Sequence, residues 1–372
     1  MNRILLLVLY FSVLAIVPVI GRDNGKKDWA WTGFHRPDSV NPIISPDTNS
    51  VFYCRMRKHS VAWEESDTFN PAATVINGKV VVLYRAEDNS ATGIGSRTSR
   101  IGYASSDDGI HFVRHGAPVL FPDSDSQSTY EVPGGCEDPR VAMTEDGLYV
   151  MMYTEWNHRL PRLAVATSRD LVNWIKYGPV FSQAYNGRFM NVATKSASII
   201  TCMKNGKLII AKLNGKYYMY WGEQFVNLAT SEDLINWTPM LDGQGNLLKV
   251  MAPRKGYFDS MLTECGPPAI MTPKGIILFY NGKNQAGEDG DLQYTENIYC
   301  AGEALFSIND PAKLIDRLND PFFYPQSSFE KSGQYPAGTV FIEGLVPFKN
   351  KWYLYYGCAD SRVGVAVRDE AR

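Results

Sequence analysis

Eleven residues of this chain have types and positions that could do acid–base chemistry. Asn70, Asp138, Glu264 and Glu343 stand where strands should begin, and Arg85, Glu87, Asp88, Glu155, Glu223, Asn281 and Asp360 stand where the following strands should end. Most are carboxylates. Carboxylates crowded at one concave mouth repel one another and raise one another's pKa, which creates the acid and base pair that glycoside hydrolysis needs. Tyr84, Tyr153, Trp156, Trp221 and Tyr280 lie beside them and would offer flat faces to sugar rings, although aromatics on such strands also pack inside the fold. Other chemistries lack their residues: there is no GxxxxGK[ST], no GxGxxG opening a helix and no GxSxG elbow. His111 and His115 are four apart, but the Asp107-Asp108-Gly109 turn puts them on a strand rather than one helical face, so neither metal nor cofactor is expected.

The elements that must position these residues repeat five times. Asn77-Gly78, Asp146-Gly147, Asn214-Gly215, Lys274-Gly275 and Lys349-Asn350 each lead into an aromatic and β-branched strand, and such turns between apolar alternations signal hairpins. A third strand follows each hairpin with its own echo, in IGYASSDDG, LAVATSRDL, VNLATSEDL, AGEALFSIND and VGVAVRDE, and three of them continue to Phe112, Trp174 and Trp237. Repeats of this kind fit an all-β, five-bladed β-propeller, whose blades cannot bury their own faces alone. A two-sheet sandwich is the alternative that also gives many short strands. In a propeller, residues before the first strand and after the second strand of every blade meet at one mouth of the central channel.

Composition narrows the partner. Aromatics make up 12% of 372 residues and the formal charge is −2, so no basic field draws nucleic acid or anionic membrane. A neutral molecule fits that balance as partner; oligomeric state is left open. Arg3 followed by the apolar run from Ile4 to Ile20 reads as a signal peptide over 1–21, with no cysteine to accept a lipid, so the mature chain is expected in the periplasm or secreted. Residues 22–65 are less regular and would close or cap the ring, and 66–372 would form the propeller. Six scattered cysteines indicate neither a zinc site nor a dense disulfide framework.

At Gly135-Cys136-Glu137-Asp138-Pro139-Arg140 the sequence resembles the signature of glycoside hydrolase family 130, the β-mannoside phosphorylases and β-mannosidases. Phe69-Asn70-Pro71-Ala72, Tyr84-Arg85-Ala86, Ile101-Gly102-Tyr103-Ala104, Ser231-Glu232-Asp233-Leu234, Gly266-Pro267-Pro268 and Tyr356-Gly357-Cys358-Ala359-Asp360 follow in the family's order. The resemblance implies a five-bladed propeller with Asp138 as general acid, passing its proton through the mannose 3-hydroxyl. It further implies that Asn70, Arg85, Asp88 and Asp360 hold the nonreducing-end mannose.

Departures from the phosphorylase pattern bear on the nucleophile. Where the resemblance implies an Arg and a His for phosphate, this chain has Trp221-Gly222-Glu223 and Tyr280-Asn281-Gly282, and Glu264 replaces a small residue. A carboxylate repels a dianion and can polarise a water. The expectation is an inverting, exo-acting β-mannosidase for β-1,2-linked mannooligosaccharides, with Glu223 and Glu264 activating water and an acid-to-base separation of ~6.5–9.5 Å. Two alternatives stand beside it: a phosphorylase in which Arg85, Arg140 and Lys195 hold phosphate, and a noncatalytic sugar-binding propeller.

Overall fold

In the computed structural model, residues 27–369 are described, and they form a ring of five antiparallel blades. Blade 1 comprises Asp67–Ile76, Lys79–Glu87, Ser99–Ser106 and Val113–Arg114; blade 2 comprises Gly135–Met143, Tyr149–Trp156, Arg162–Ser168 and Ile175–Pro179. Blade 3 is built from Ala197–Lys204, Lys216–Trp221, Val226–Ser231 and Trp237–Pro239, and blade 4 from Leu262–Cys265 continued by Ala269–Thr272, then Gly275–Lys283, Tyr299–Phe306 and Leu314–Arg317. Blade 5 has Val340–Phe348, Lys351–Cys358 and Arg362–Asp369, with the N-terminal segment along its outer edge through His35 to Val367 and Ile44 to Val363. Among the described residues the apolar core divides into five clusters, each spanning one seam between neighbouring blades. That division follows from the geometry: a four-stranded sheet has two apolar faces, and only a closed ring covers both.

The third-strand echo has a mechanism. Ser106, Ser168 and Ser231 each accept a backbone N–H from three residues on, and Asp108, Asp170 and Asp233 each accept two further backbone N–H groups. These turns bring the aromatic back under the sheet, where the Trp174 and Trp237 indoles donate to the Leu171 and Leu234 carbonyls at 3.0 Å. A second repeated device pairs a second-strand tyrosine with a third-strand glycine: Tyr84 with Gly102, Tyr280 with Gly302, Tyr356 with Gly364. A Cβ at Gly102 would stand 2.4 Å from the Tyr84 ring, so that ring fits only over glycine.

Several details go beyond or against the sequence reading. Blade 3 carries an extra hairpin, because Asn205-Gly206 turns Ala197–Lys204 back onto Lys207–Ile210 before the chain reaches Asn214-Gly215. Within 22–65, Asp47–Cys54 and His59–Glu64 form a separate hairpin whose Trp63 stacks on Tyr84 at the blade 5 to blade 1 seam. The apolar run Ile4–Ile20 lies outside the described residues. All six cysteines are unpaired. Tyr84, Tyr153, Trp221 and Tyr280 are not sugar platforms: all four are buried between blades, and the three tyrosines donate to Glu64, Glu131 and Asp259.

Candidate active site

Three blades deliver a polar side chain into the channel by the same local distortion. At Asn70, at Asp138-Pro139 and at Glu343 the first strand carries an extra residue relative to its partner, so the register slips and the side chain is turned out of the ladder. Asn70 and Asp138 take left-handed backbone with φ of 46° and 49°, as does Asp360 at 51°. Asn and Asp tolerate this region better than other residues with a Cβ, and such strain tends to collect at functional sites. Gly357 completes the fit, because a Cβ there would come within 2.4 Å of the Asn70 Oδ1.

Asp138 sits in a positively charged corner. The Asn70 amide donates to its Oδ1 at 2.9 Å, Arg85 reaches the same oxygen at 3.1 Å, and the Lys195 Nζ stands 3.7 Å from Oδ2. Burial would raise its pKa, but the charges of Arg85, Lys195 and Arg140 with the Asn70 hydrogen bond outweigh burial and hold it below the usual carboxylate range. Arg85 also binds Glu87 at 2.6 Å and Glu137 at 2.9 Å, and Lys195 binds Glu137 at 3.3 Å. Burial pushes Glu137 up against those two cations. Asp360 faces the same group and is pushed up to about 7 by burial, with the charges of Asp138 and Glu87 opposing the relief that Arg85 and Lys195 give.

Across the channel the balance reverses. Glu264 is buried, accepts a hydrogen bond from the Ser196 hydroxyl, and is pushed up to about 8 by burial and then by the charge of Glu223. Arg140 spans the two sides: its Nη1 donates to the Asp138 carbonyl at 3.0 Å, and its Nη2 donates to the Cys265 carbonyl at 3.0 Å and lies 3.8 Å from Glu264. Glu223 is half-buried at the end of its strand, with Lys195 and Glu264 as charged neighbours.

The structure therefore brings together Asn70, Arg85, Asp138, Arg140, Lys195, Glu223, Glu264 and Asp360. It turns three others elsewhere. Asp88 is held by Arg57 and Arg100 at 2.9 Å each and by the Ser90 N–H. Asn281 spends its amide on the backbone of Ile342, accepting at 2.8 Å and donating at 3.1 Å, which ties blade 4 to blade 5. Glu155 lies in a seam beside Tyr153 and Glu131. Sequence reading missed Glu137, Ser196 and Tyr299, the last having Glu264, Asp360 and Glu223 as charged neighbours. Ser196 was accessible in principle: it occupies the first-strand start of blade 3, the one blade for which no such residue was assigned.

A five-bladed propeller whose mouth is lined by buried carboxyls and paired cations defines a class of glycoside-active enzymes. A family model described as beta-1,4-mannooligosaccharide phosphorylase matches residues 35–372, and the chain belongs to glycoside hydrolase family 130, whose members act on β-mannosides. It is 33% identical over 316 residues to a 1,2-beta-oligomannan phosphorylase from Thermoanaerobacter sp. (strain X514), covering 84% of this chain and 93% of that protein. It is 64% identical to the crystal structure of a glycosyl hydrolase from Bacteroides ovatus, with a TM-score of 0.91 over 93% of this chain and 96% of that one. A further structure, 62% identical with a TM-score of 0.91 over 92% and 95% of the two chains, comes from work on glycoside hydrolases of this family that target beta-1,2 mannosidic linkages in Candida mannan.

Proposed function

We propose that this chain is an inverting, exo-acting β-mannosidase that hydrolyses β-1,2-linked mannooligosaccharides and releases mannose. One observation carries the reading: the carboxyl groups of the mouth outnumber its cations, seven to three. Arg85, Arg140 and Lys195 each contact carboxylates, and they share the mouth with Glu87, Glu137, Asp138, Glu223, Glu264, Glu343 and Asp360. A phosphate dianion would meet net negative charge there, whereas a neutral water and a neutral sugar would not. Asn70, Arg85 and Asp360 hold the nonreducing-end mannose, Asp138 delivers the proton to the leaving oxygen through the mannose 3-hydroxyl, and Glu264 with Glu223 orients and deprotonates water. The 62% identical structure from work on β-1,2-targeting hydrolases supports this branch. Export to the periplasm or beyond, read from Ile4–Ile20, belongs to the same proposal, and N-terminal sequencing of the mature protein checks it.

The curated phosphorylase relatives and the partly exposed Lys195 favour a second reading, in which phosphate attacks. Withholding phosphate separates the two. The hydrolase keeps its rate and releases free mannose, first as the α-anomer, because inversion at a β-linkage gives α. Accumulation of mannose 1-phosphate, or loss of activity in phosphate-free buffer, would establish the phosphorylase, and inertness towards all β-mannobioses would establish a binding module.

A further inference from the structure

Glu343 has no role in the chemistry described so far, yet the fold presents it to the channel as it presents Asn70 and Asp138, at the extra residue of a first strand. It is fully buried, and neither carboxyl oxygen makes a well-aligned hydrogen bond among the described residues. Buried polar atoms without well-aligned partners are rare in folded proteins, and each calls for an explanation. Its nearest charged group is Arg140, whose Nη2 approaches Oε1 at 2.9 Å; the same nitrogen stands 3.8 Å from Glu264, and Arg140 Nε is itself buried without a partner. Glu343 and Glu264 thus compete for one guanidinium nitrogen, and Glu343 has the nearer place.

We propose that Glu343 is a positioning residue: it draws the Arg140 guanidinium away from Glu264 and leaves that carboxylate free to take a proton from water. The proposal rests on the reading of Glu264 as base. Guanidinium drawn fully onto Glu264 would stabilise its ionised form and weaken it as a proton acceptor. Besides Arg140, Glu264 faces Glu223, Lys195 and Ser196, with Tyr299 beside it, and Glu343 faces Asp138, Glu264 and Arg85. In those surroundings burial pushes Glu343 well up, with Asp138 and Glu264 adding to the effect against Arg140, and the contact with Arg140 runs through the single oxygen Oε1. A glutamine offers the same oxygen.

The test is the pH dependence of kcat/KM on a β-1,2-mannobiose for Glu343→Leu, Glu343→Met and Glu343→Gln, with folding followed by thermal melting and the product identified. Removing the acceptor lets Arg140 close on Glu264, so the alkaline limb of the Leu and Met variants moves to lower pH by about one unit or more. Glu343→Gln returns the limb to its native position, a rescue that a general loss of packing would not give. The flexible Met fills the site should the Leu variant not fold. A folded Leu or Met variant with the native limb overturns the proposal, as does a Gln variant displaced as far as Leu. Mannose 1-phosphate as product overturns the hydrolytic reading and this proposal together, whereas a native limb with free mannose as product overturns this proposal alone.

Discussion

Asp138 and Glu264 are equally buried, at 3% exposure each, and both lie within reach of Arg140, yet their acidities move in opposite directions. Blades 1 to 3 surround Asp138 with Arg85, Lys195 and the Asn70 amide; blades 3 and 4 give Glu264 the like charge of Glu223. Burial alone fixes how strongly a neighbour is felt, and the sign of the neighbour fixes the outcome. The order is the reverse of the one the proposed hydrolysis needs: Glu264, the proposed base, is held above the usual carboxylate range and Asp138, the proposed acid, below it. The proposed reaction therefore runs through the less favoured placement of the proton, and Glu264 sets its alkaline limit.

The largest effects come from removing either end of this pair. Asp138→Asn and Glu264→Gln should each lower kcat by about 10²–10⁴-fold with melting temperature little changed, because an amide can neither donate nor accept the required proton. The Asp138 loss should shrink on an aryl mannoside with a good leaving group, which needs less help from an acid. Turnover within a few-fold of native in either variant would return that carboxyl to an electrostatic role.

A steric route disturbs only the Asp138 side. Gly357→Ala places a methyl against the Asn70 Oδ1, so Asn70 must withdraw from Asp138 and from the sugar. The expected result is a fall in kcat/KM of about tenfold, the size of one displaced hydrogen bond to a charged group. Unchanged kinetics would show that Asn70 is not needed where the structure puts it.

The Glu264 side can be read by pH. Activity should fall as pH rises through about 8, where Glu264 gives up its proton. Glu223→Gln removes the like charge that raises Glu264, so the residual activity should lose that alkaline limb at lower pH, by about one unit. An unmoved limb in kcat/KM would mean that the charge of Glu223 does not set the acidity of Glu264.

Much of this arrangement was legible in the chain because repetition is itself a signal. Asn77-Gly78, Ser106-Asp107-Asp108 and their copies marked the turns, and the turns located the channel mouth. What sequence could not show was direction. Tyr84 and Tyr280 stand next to rim residues in the chain but face the seams, since neighbours on a strand point to opposite sides. Asn281 and Asp88 sit at strand ends as Asp360 does, yet Ile342 and Arg100 claim their polar atoms, and those partners are 61 and 12 residues away. Ser196 and Glu137 acquire meaning only through Glu264, Arg85 and Lys195, contacts that the closure of the ring creates.

Glu155 sharpens the comparison as a carboxyl buried with little cationic relief. It lies in the seam with one oxygen sharing the Tyr153 hydroxyl with Glu131, at 3.2 Å, and the other without a hydrogen-bond partner among the described residues, and burial followed by the charge of Glu131 pushes it up to about 9, against Tyr153, Lys176 and Arg162. In the unfolded chain it ionises near its ordinary value of 4.5, so between 4.5 and about 9 the folded state binds more protons than the unfolded one. Stability from this group is therefore complete below 4.5 and is lost as pH rises towards 9. Glutamine does not titrate. Glu155→Gln should melt close to native at pH 5 and a few degrees above native at pH 9, the smallest effect predicted for the molecule. A constant difference between the two proteins at both pH values would mean that Glu155 is ionised in the seam, and that Lys176 and Arg162 do for it what Arg85 and Lys195 do for Asp138.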